Sequence, residues 1–274
     1  MARPEHNPTT LLLKLLGLMV AAAVAVGLQA RERANGSADV YGYTLDDSAT
    51  AGACRFDYIA LDRSTPGLTL APGHEAAAAD DSAALLTLAQ PFEFYQTPGT
   101  SLVASGNGYL ATADSLAGDD GSDFSNDCAL PALADNAAAS QNRIYVYHDD
   151  LRPQPGGRMR QGFFGTCPRV SGSGRAEACT VVEWDGFERA GPIPSSLPLR
   201  AQAVLYHGSH EIAMQYASVD DSRGAQATVG LQGFDGRAAR QASCNRGGQV
   251  RSGQAICFYD PRHRPNASPL AASP

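Results

Sequence analysis

The chain has 274 residues, 43% of them hydrophobic and 18% charged, with a formal net charge of -7. That apolar content is enough to build a packed core and excludes a chain disordered throughout. The acidic balance, with Lys14 the only lysine and the arginines scattered, excludes a nucleic-acid partner, which needs concentrated Lys and Arg against phosphate.

The first element is an export signal over residues 1–30. Arg3 supplies positive charge, Leu15–Leu28 is an apolar run of signal-peptide length, and Leu28-Gln29-Ala30 or Ala23-Val24-Ala25 offers small residues for cleavage. The alternative is an uncleaved anchor in the inner membrane, since Thr9–Leu28 is long enough to span a bilayer as one hydrophobic helix. The domain would then touch membrane only through this segment. No cysteine lies near it, which excludes lipid attachment there. High Arg over Lys and abundant Ala point to a GC-rich bacterial genome. Residues 31–50 are small and polar and read as a linker.

From residue 51 to 260 the pattern is short apolar runs ended by turn residues. Arg55–Leu61 reads as the first strand, closed by Ser64-Thr65-Pro66-Gly67. Leu85–Leu88 and Phe92–Tyr95 flank Pro91. A short helix around Ala76–Leu88 stays open. Ser101–Ala104 and Tyr109–Thr112 bracket Ser105-Gly106-Asn107-Gly108, a hairpin signal because Asn and Gly tolerate positive φ. Residues 114–142, rich in Asp, Ser, Ala and Asn, read as a long surface excursion. Ile144–Tyr147 resumes the strands and Arg152–Gly157 breaks them. Met159–Phe164 pairs with Thr180–Trp184, and Leu199–Tyr206 with Glu211–Tyr216. In that last hairpin Leu199, Ala201, Ala203 and Leu205 share one face, and Ile212, Met214 and Tyr216 alternate likewise, the period of half-buried strands. Ala227–Gln232 and Ala255–Tyr259 finish the set. About eleven strands at this spacing predict an all-β fold, an antiparallel β-sandwich of jelly-roll or similar type with long loops. Residues 261–274, with Pro261, Pro265, Pro269 and Pro274, read as a disordered tail.

Six cysteines, Cys54, Cys128, Cys167, Cys179, Cys244 and Cys257, lie after the signal. An even count in an exported chain predicts disulfides, and the lack of any Cys-x-x-Cys argues against zinc. About 15 pairings are open.

No catalytic motif stands out. Gly-x-Ser-x-Gly is absent, and His207-Gly208-Ser209-His210 falls in a hairpin turn, where a solvated loop is expected. His210-Glu211 has no second His four residues on, so the zinc-protease pattern fails. Asp119, Asp120, Asp123 and Asp127 form a calcium candidate, since carboxylates in a flexible loop can cage Ca²⁺. Their spacing is not that of an EF-hand, and a solvated acidic loop is the competing reading. No other cofactor is indicated. Asp149 and Asp150 are neighbours at a strand end, so they face opposite ways and favour backbone hydrogen bonding over paired acid–base work. Trp184, the lone tryptophan, is assigned to core packing rather than a sugar platform.

Several segments taken in order carry a resemblance. They are Tyr58–Leu61, Asp80-Asp81-Ser82-Ala83, Ser105–Leu110, Asp123–Cys128, Tyr147–Leu151, Val181–Trp184, Ala203–Tyr206, Ala227–Gln232 and Ser243-Cys244-Asn245. The chain over residues 54 to 259 resembles a β-sandwich module of secreted bacterial multidomain proteins, loosely like the nidogen-type extracellular domain. Such modules accompany secreted proteases or adhesive domains and carry no catalytic residues to transfer. The resemblance implies the pairing Cys128–Cys244, with Cys167–Cys179 closing a local loop and Cys54–Cys257 tying first strand to last. One departure is His148, which stands where an aromatic, often Trp, precedes the two aspartates. The expected function is a non-enzymatic extracytoplasmic module, periplasmic or secreted, that binds a protein or glycan of the envelope or exterior. The alternative is an envelope glycan or peptide hydrolase using Asp119, Asp149, Asp150 and Asp185. A domain that works only beside a partner protein is the third reading.

Overall fold

The structure is a computed structural model. It describes residues 38–50, 52–62, 67–68, 71–72, 81–112, 119–126, 128–132, 142–234 and 237–263. The expected N-terminal hydrophobic helix and residues 264–274 lie outside this set, as do residues 76–80 of the segment left open as a helix; the rest of that segment, from Ser82 to Leu88, is strand and not helix.

Among the described residues there are thirteen strands and no helix. Six form one sheet in the order β1 (Thr44–Asp47), β13 (Gln254–Tyr259), β10 (Ile212–Ser218), β9 (Leu199–Tyr206), β8 (Cys179–Arg189), β7 (Leu151–Phe164). Seven form the other, in the order β12 (Ala239–Cys244), β11 (Thr228–Gln232), β6 (Arg143–His148), β5 (Tyr109–Thr112), β4 (Thr97–Ser105), β3 (Ser82–Phe94), β2 (Ala71–Pro72). Every pairing is antiparallel. Consecutive strands mostly stay in one sheet, β2 to β6 in one and β7 to β10 in the other. The wiring is therefore two packed meanders, not a chain that alternates between sheets.

Core packing follows the alternation. Leu199, Ala201, Ala203 and Leu205 of β9 and Ile212, Met214 and Tyr216 of β10 join Leu86, Leu102, Leu110, Ile144 and Val146 of the opposite sheet in one apolar cluster. Trp184 is fully buried between the sheets, and its indole N–H donates to the Ser105 carbonyl across the gap at 2.8 Å. Burying that donor without a partner would be costly. Gly108 sits at φ +79°, and a Cβ there would meet the Tyr147 carbonyl oxygen at 2.1 Å, so the turn after β4 requires glycine.

Several expectations need correction. Arg55–Leu61 is not a strand. It crosses the outer face of the six-stranded sheet, bonded through side-chain amides. Asp57 N–H donates to Gln215 Oε1 (2.7 Å) and Ile59 N–H to Gln202 Oε1 (2.9 Å), while Gln202 Nε2 returns a bond to the Ile59 carbonyl. Because of this cover β9 and β10 are buried on both faces. Val204, Tyr206 and Ala213 pack outward with Ile59, Cys54 and Cys257. The linker expected over 31–50 contains β1, which pairs with β13 from Thr44↔Tyr259 to Asp47↔Ile256. β3 runs through Pro91 and β7 through Pro153 and Pro155, each with a register shift there, because a proline lacking its N–H is tolerated at a bulge. At the start of the expected tail, Arg262 is tied to Glu93 (2.9 Å) and Asp260 (3.0 Å).

The disulfides are Cys54–Cys257, Cys128–Cys244 and Cys167–Cys179. The first fastens the crossing segment to β13, the second fastens the 119–132 region to β12, and the third closes the loop between β7 and β8.

Candidate functional site

The sandwich has two unlike ends. At one end the domain's first and last described segments meet: Tyr95 Oη donates to Asp39 at 2.6 Å, and Tyr43 Oη lies within reach of Asp260 at 3.4 Å. The opposite end gathers the loops 105–108, 149–150, 190–198, 219–227 and 245–253. Leu151 N–H donates to Asn107 Oδ1 (2.9 Å), Tyr147 Oη to Asp220 (2.7 Å), Gly224 N–H to Tyr147 Oη (2.6 Å), and Gly248 N–H to the Arg223 carbonyl (2.9 Å).

Loop 190–198 carries two exposed aliphatic side chains at this end. Pro192, Pro194 and Pro198 restrict its φ angles. Its flanks are pinned by Arg152 on the Gly191 carbonyl (2.9 Å), Gln154 on the Ser195 carbonyl (2.9 Å), Ser195 N–H on Glu188 (2.6 Å) and Ser196 N–H on Asp221 (2.7 Å). Between these anchors Ile193 is 82% exposed, and just past the last of them Leu197 is 54% exposed. An apolar tip held in one conformation loses little entropy on contact, which favours association. The sequence reading passed over this loop. Its signal was two aliphatic residues spaced by prolines between strands.

The acidic stretch lies on the outer face of the seven-stranded sheet. Asp119 and Asp123 both bind Arg143, which is fully buried on β6, at 2.5 Å each, and Arg143 stacks over Tyr109 at 4.3 Å from the ring centroid. Asp119 also accepts from Tyr109 Oη (3.0 Å) and Gly121 N–H (3.1 Å). Asp120 turns back on Ser122, and Asp127 lies outside the described residues. Among the described residues no group of three or more His, Cys, Asp or Glu is placed to hold a metal ion. The calcium candidates that can be placed therefore meet a guanidinium and local donors. The surface excursion expected over 114–142 is, at Asp119, a buried attachment to the sheet. Arg143 was not singled out from sequence, because nothing local marks an arginine before an apolar strand as buried.

His148 fills the departure position and is fully buried beside Tyr109 and Tyr145. Asp149 accepts from Asp150 N–H (2.9 Å) and faces Arg189 at 3.5 Å, while its Oδ2 has no hydrogen-bond partner. Burial pushes the Asp149 carboxyl up to about 7, against the pull of Arg189. Asp185 pairs with Arg160 and Arg200 beside Glu183, whose carboxyl burial also raises. The 207–210 turn is only partly solvated, with Gly208 exposed and His207 and Ser209 buried. His207 bridges Thr180 Oγ1 (2.9 Å) and the Pro91 carbonyl (3.0 Å), and burial holds His210 below the ordinary histidine range. Arg169 and Glu211, also unmarked in the sequence, form a buried pair at 3.2 Å that ties the 165–178 loop to the six-stranded sheet. Burial raises the Glu211 carboxyl to about 7. These groups mostly serve folding, as ion-pair and hydrogen-bond anchors for the segments covering each sheet.

No helix among the described residues is long and apolar enough to cross a membrane. Comparison with known proteins gives one family. A family model described as NIDO related matches residues 50–253, most of the span over which the nidogen-type resemblance was read. No curated protein and no solved structure matches the chain.

Proposed function

The chain belongs to the NIDO-related family, and from that premise we propose that it is a non-enzymatic extracellular binding or structural module. Three disulfides fit an oxidising, extracytoplasmic setting. In the finer form of this proposal, residues 1–30 export or anchor the chain. The domain then contacts a protein of the bacterial envelope or exterior through loop 190–198. The observation that supports it is the exposed Ile193 and Leu197 on a loop fastened from both flanks. A rigid apolar anchor ringed by polar residues is the usual centre of a protein contact. The test is affinity capture from envelope fractions with the chain from Arg31 onward, read by mass spectrometry, beside an Ile193→Asp/Leu197→Asp variant. A partner retained by the native chain and lost by the variant supports the reading. A partner captured equally by both places binding elsewhere on the surface, for instance at a glycan.

A second reading, hydrolysis of an envelope glycan or peptide, has one observation in its favour. Asp149 is a buried carboxyl raised to about 7 with an unpartnered oxygen, a state that suits a general acid. Turnover by the purified chain that disappears in Asp149→Asn would support this reading over the first.

A further inference from the structure

We infer that His148 is a protonation-operated latch: with both ring nitrogens protonated it clamps residues 124–126 onto the seven-stranded sheet, and loss of one ring proton releases that stretch. The argument begins with its two hydrogen bonds. Nδ1 lies 3.0 Å from the Asn107 carbonyl oxygen and Nε2 lies 2.8 Å from the Ser125 carbonyl oxygen. A backbone carbonyl can only accept. A neutral imidazole has one N–H and one lone pair, so it can serve only one of these two contacts, and the other becomes a lone pair facing an oxygen. The imidazolium donates to both. The ring is fully buried between Tyr109 (centroids 5.0 Å apart) and Tyr145 (5.3 Å).

The surrounding charge is arranged for that cation. From the 119–126 segment come Asp123, whose carboxyl Arg143 and His148 hold below the usual range against its burial, and Asp119, bound to Arg143. Asp120 of the same segment is turned onto Ser122. From β6 come Arg143 and Tyr145, and from the turn after it Asp149, turned toward Asp150 N–H and Arg189. From β5 comes Tyr109, its phenol donated to Asp119. The 105–108 turn contributes Asn107, whose amide is bonded to Asp81. β11 contributes uncharged Thr228, which holds Asn126. Two cations, Arg143 and His148, thus balance two anions, Asp119 and Asp123.

The two carbonyls are not equally fixed. Asn107 is tied into the sheet: Val146 and Tyr147 N–H groups donate to the neighbouring Gly108 carbonyl, and Leu151 N–H to the Asn107 side chain. Ser125 lies between two sets of attachments: before it Asp119 and Asp123 bind Arg143, Asp119 binds Tyr109 and the Gly121 carbonyl accepts from Ser105 Oγ, and after it the Asn126 side chain meets Thr228 and Asn245. A ring with one N–H keeps Asn107 and gives up Ser125.

The test uses the whole chain labelled with ¹⁵N-histidine, scanned from about pH 5 to about pH 9. The His148 nitrogens are read by long-range ¹H–¹⁵N correlation, and amide exchange of 119–126 is read in parallel and corrected for its intrinsic pH dependence. Two N–H nitrogens are expected at the acid end and one at the alkaline end. Protection of 124–126 should fall by about tenfold or more with the same midpoint. His148→Gln, whose two N–H groups sit on one nitrogen and cannot span carbonyls that lie against opposite ring nitrogens, should show low and pH-independent protection there. Should that variant not fold, Asp123→Asn serves instead and should move the shared midpoint to lower pH. A ring that stays in one protonation state over the whole range, or protection of 124–126 that does not follow the ring, would overturn the latch.

Discussion

Replacing Arg143 by Met isolates the charge balance on which the outer face of the seven-stranded sheet depends. The guanidinium is fully buried, and the two carboxylates it binds are 7% and 18% exposed at Asp119 and Asp123. Methionine matches its length and removes its charge, so Asp119 is left as an uncompensated buried anion. Breaking a buried pair from one side costs about 3–5 kcal/mol. Asp119 keeps donors from Tyr109 and Gly121, and the more exposed Asp123 can rehydrate, which places the expectation near the lower figure, about 3 kcal/mol. The partner experiment is Arg143→Met with Asp119→Asn and Asp123→Asn. At alkaline pH, where the His148 ring is neutral and no charge is left to strand, it should return to within about 1 kcal/mol of the native chain, because removing all members of a buried ionic group is often nearly neutral. Guanidinium denaturation with disulfides intact gives both numbers. Trp184 is the only tryptophan and fully buried, so its fluorescence reports the transition. A single variant costing under about 1 kcal/mol, or a triple variant as unstable as the single, would refute the claim that Arg143 acts by compensating these carboxylates.

Other outcomes follow from the same structure. Trp184→Phe removes the 2.8 Å bond to the Ser105 carbonyl and leaves a void between the sheets, so about 2–4 kcal/mol should be lost by circular-dichroism melting. Stability should decline as pH rises from about 4 to about 7. Asp149 and Glu211 carry folded values of about 7, so the folded chain holds more protons than the unfolded one across that window, and their contribution is complete below it and lost above it. The Asp123 and Asp260 carboxyls are lowered, so their contribution is instead lost as pH falls below about 4, which puts the optimum just above that value. Asp149→Asn with Glu211→Gln should flatten the slope between about pH 4 and pH 7, worth at most roughly 4 kcal/mol for Asp149 and roughly 3 kcal/mol for Glu211. Removing Cys167–Cys179, which closes a separation of 12 residues, should cost about 3 kcal/mol at most. Removing Cys54–Cys257, across 203 residues, should cost up to about 5 kcal/mol in the same denaturation assay.

The all-β class, the β4–β5 and β9–β10 hairpins, the Met159–Phe164 pairing with β8 and the core place of Trp184 were all readable along the chain. Each rests on a local cause: period-2 alternation, a Gly-bearing turn, or the lack of any helical apolar period. The family resemblance was readable too, because motifs in a fixed order survive without coordinates. What lay beyond the chain's local pattern were the contacts between residues distant in sequence, the disulfide pairings implied by the resemblance apart. Arg55–Leu61 has strand composition, yet its backbone bonds go to Gln202 and Gln215, 143 and 158 residues away, and so it covers a sheet instead of joining one. β1 looks like a polar linker until β13 is set beside it. Asp119 and Asp123 read as a metal loop because their counter-charge, Arg143, is hidden in an apolar strand. Periodicity reports which face a side chain takes, whereas burial of that face depends on what the rest of the chain lays over it, and only the folded arrangement supplies that.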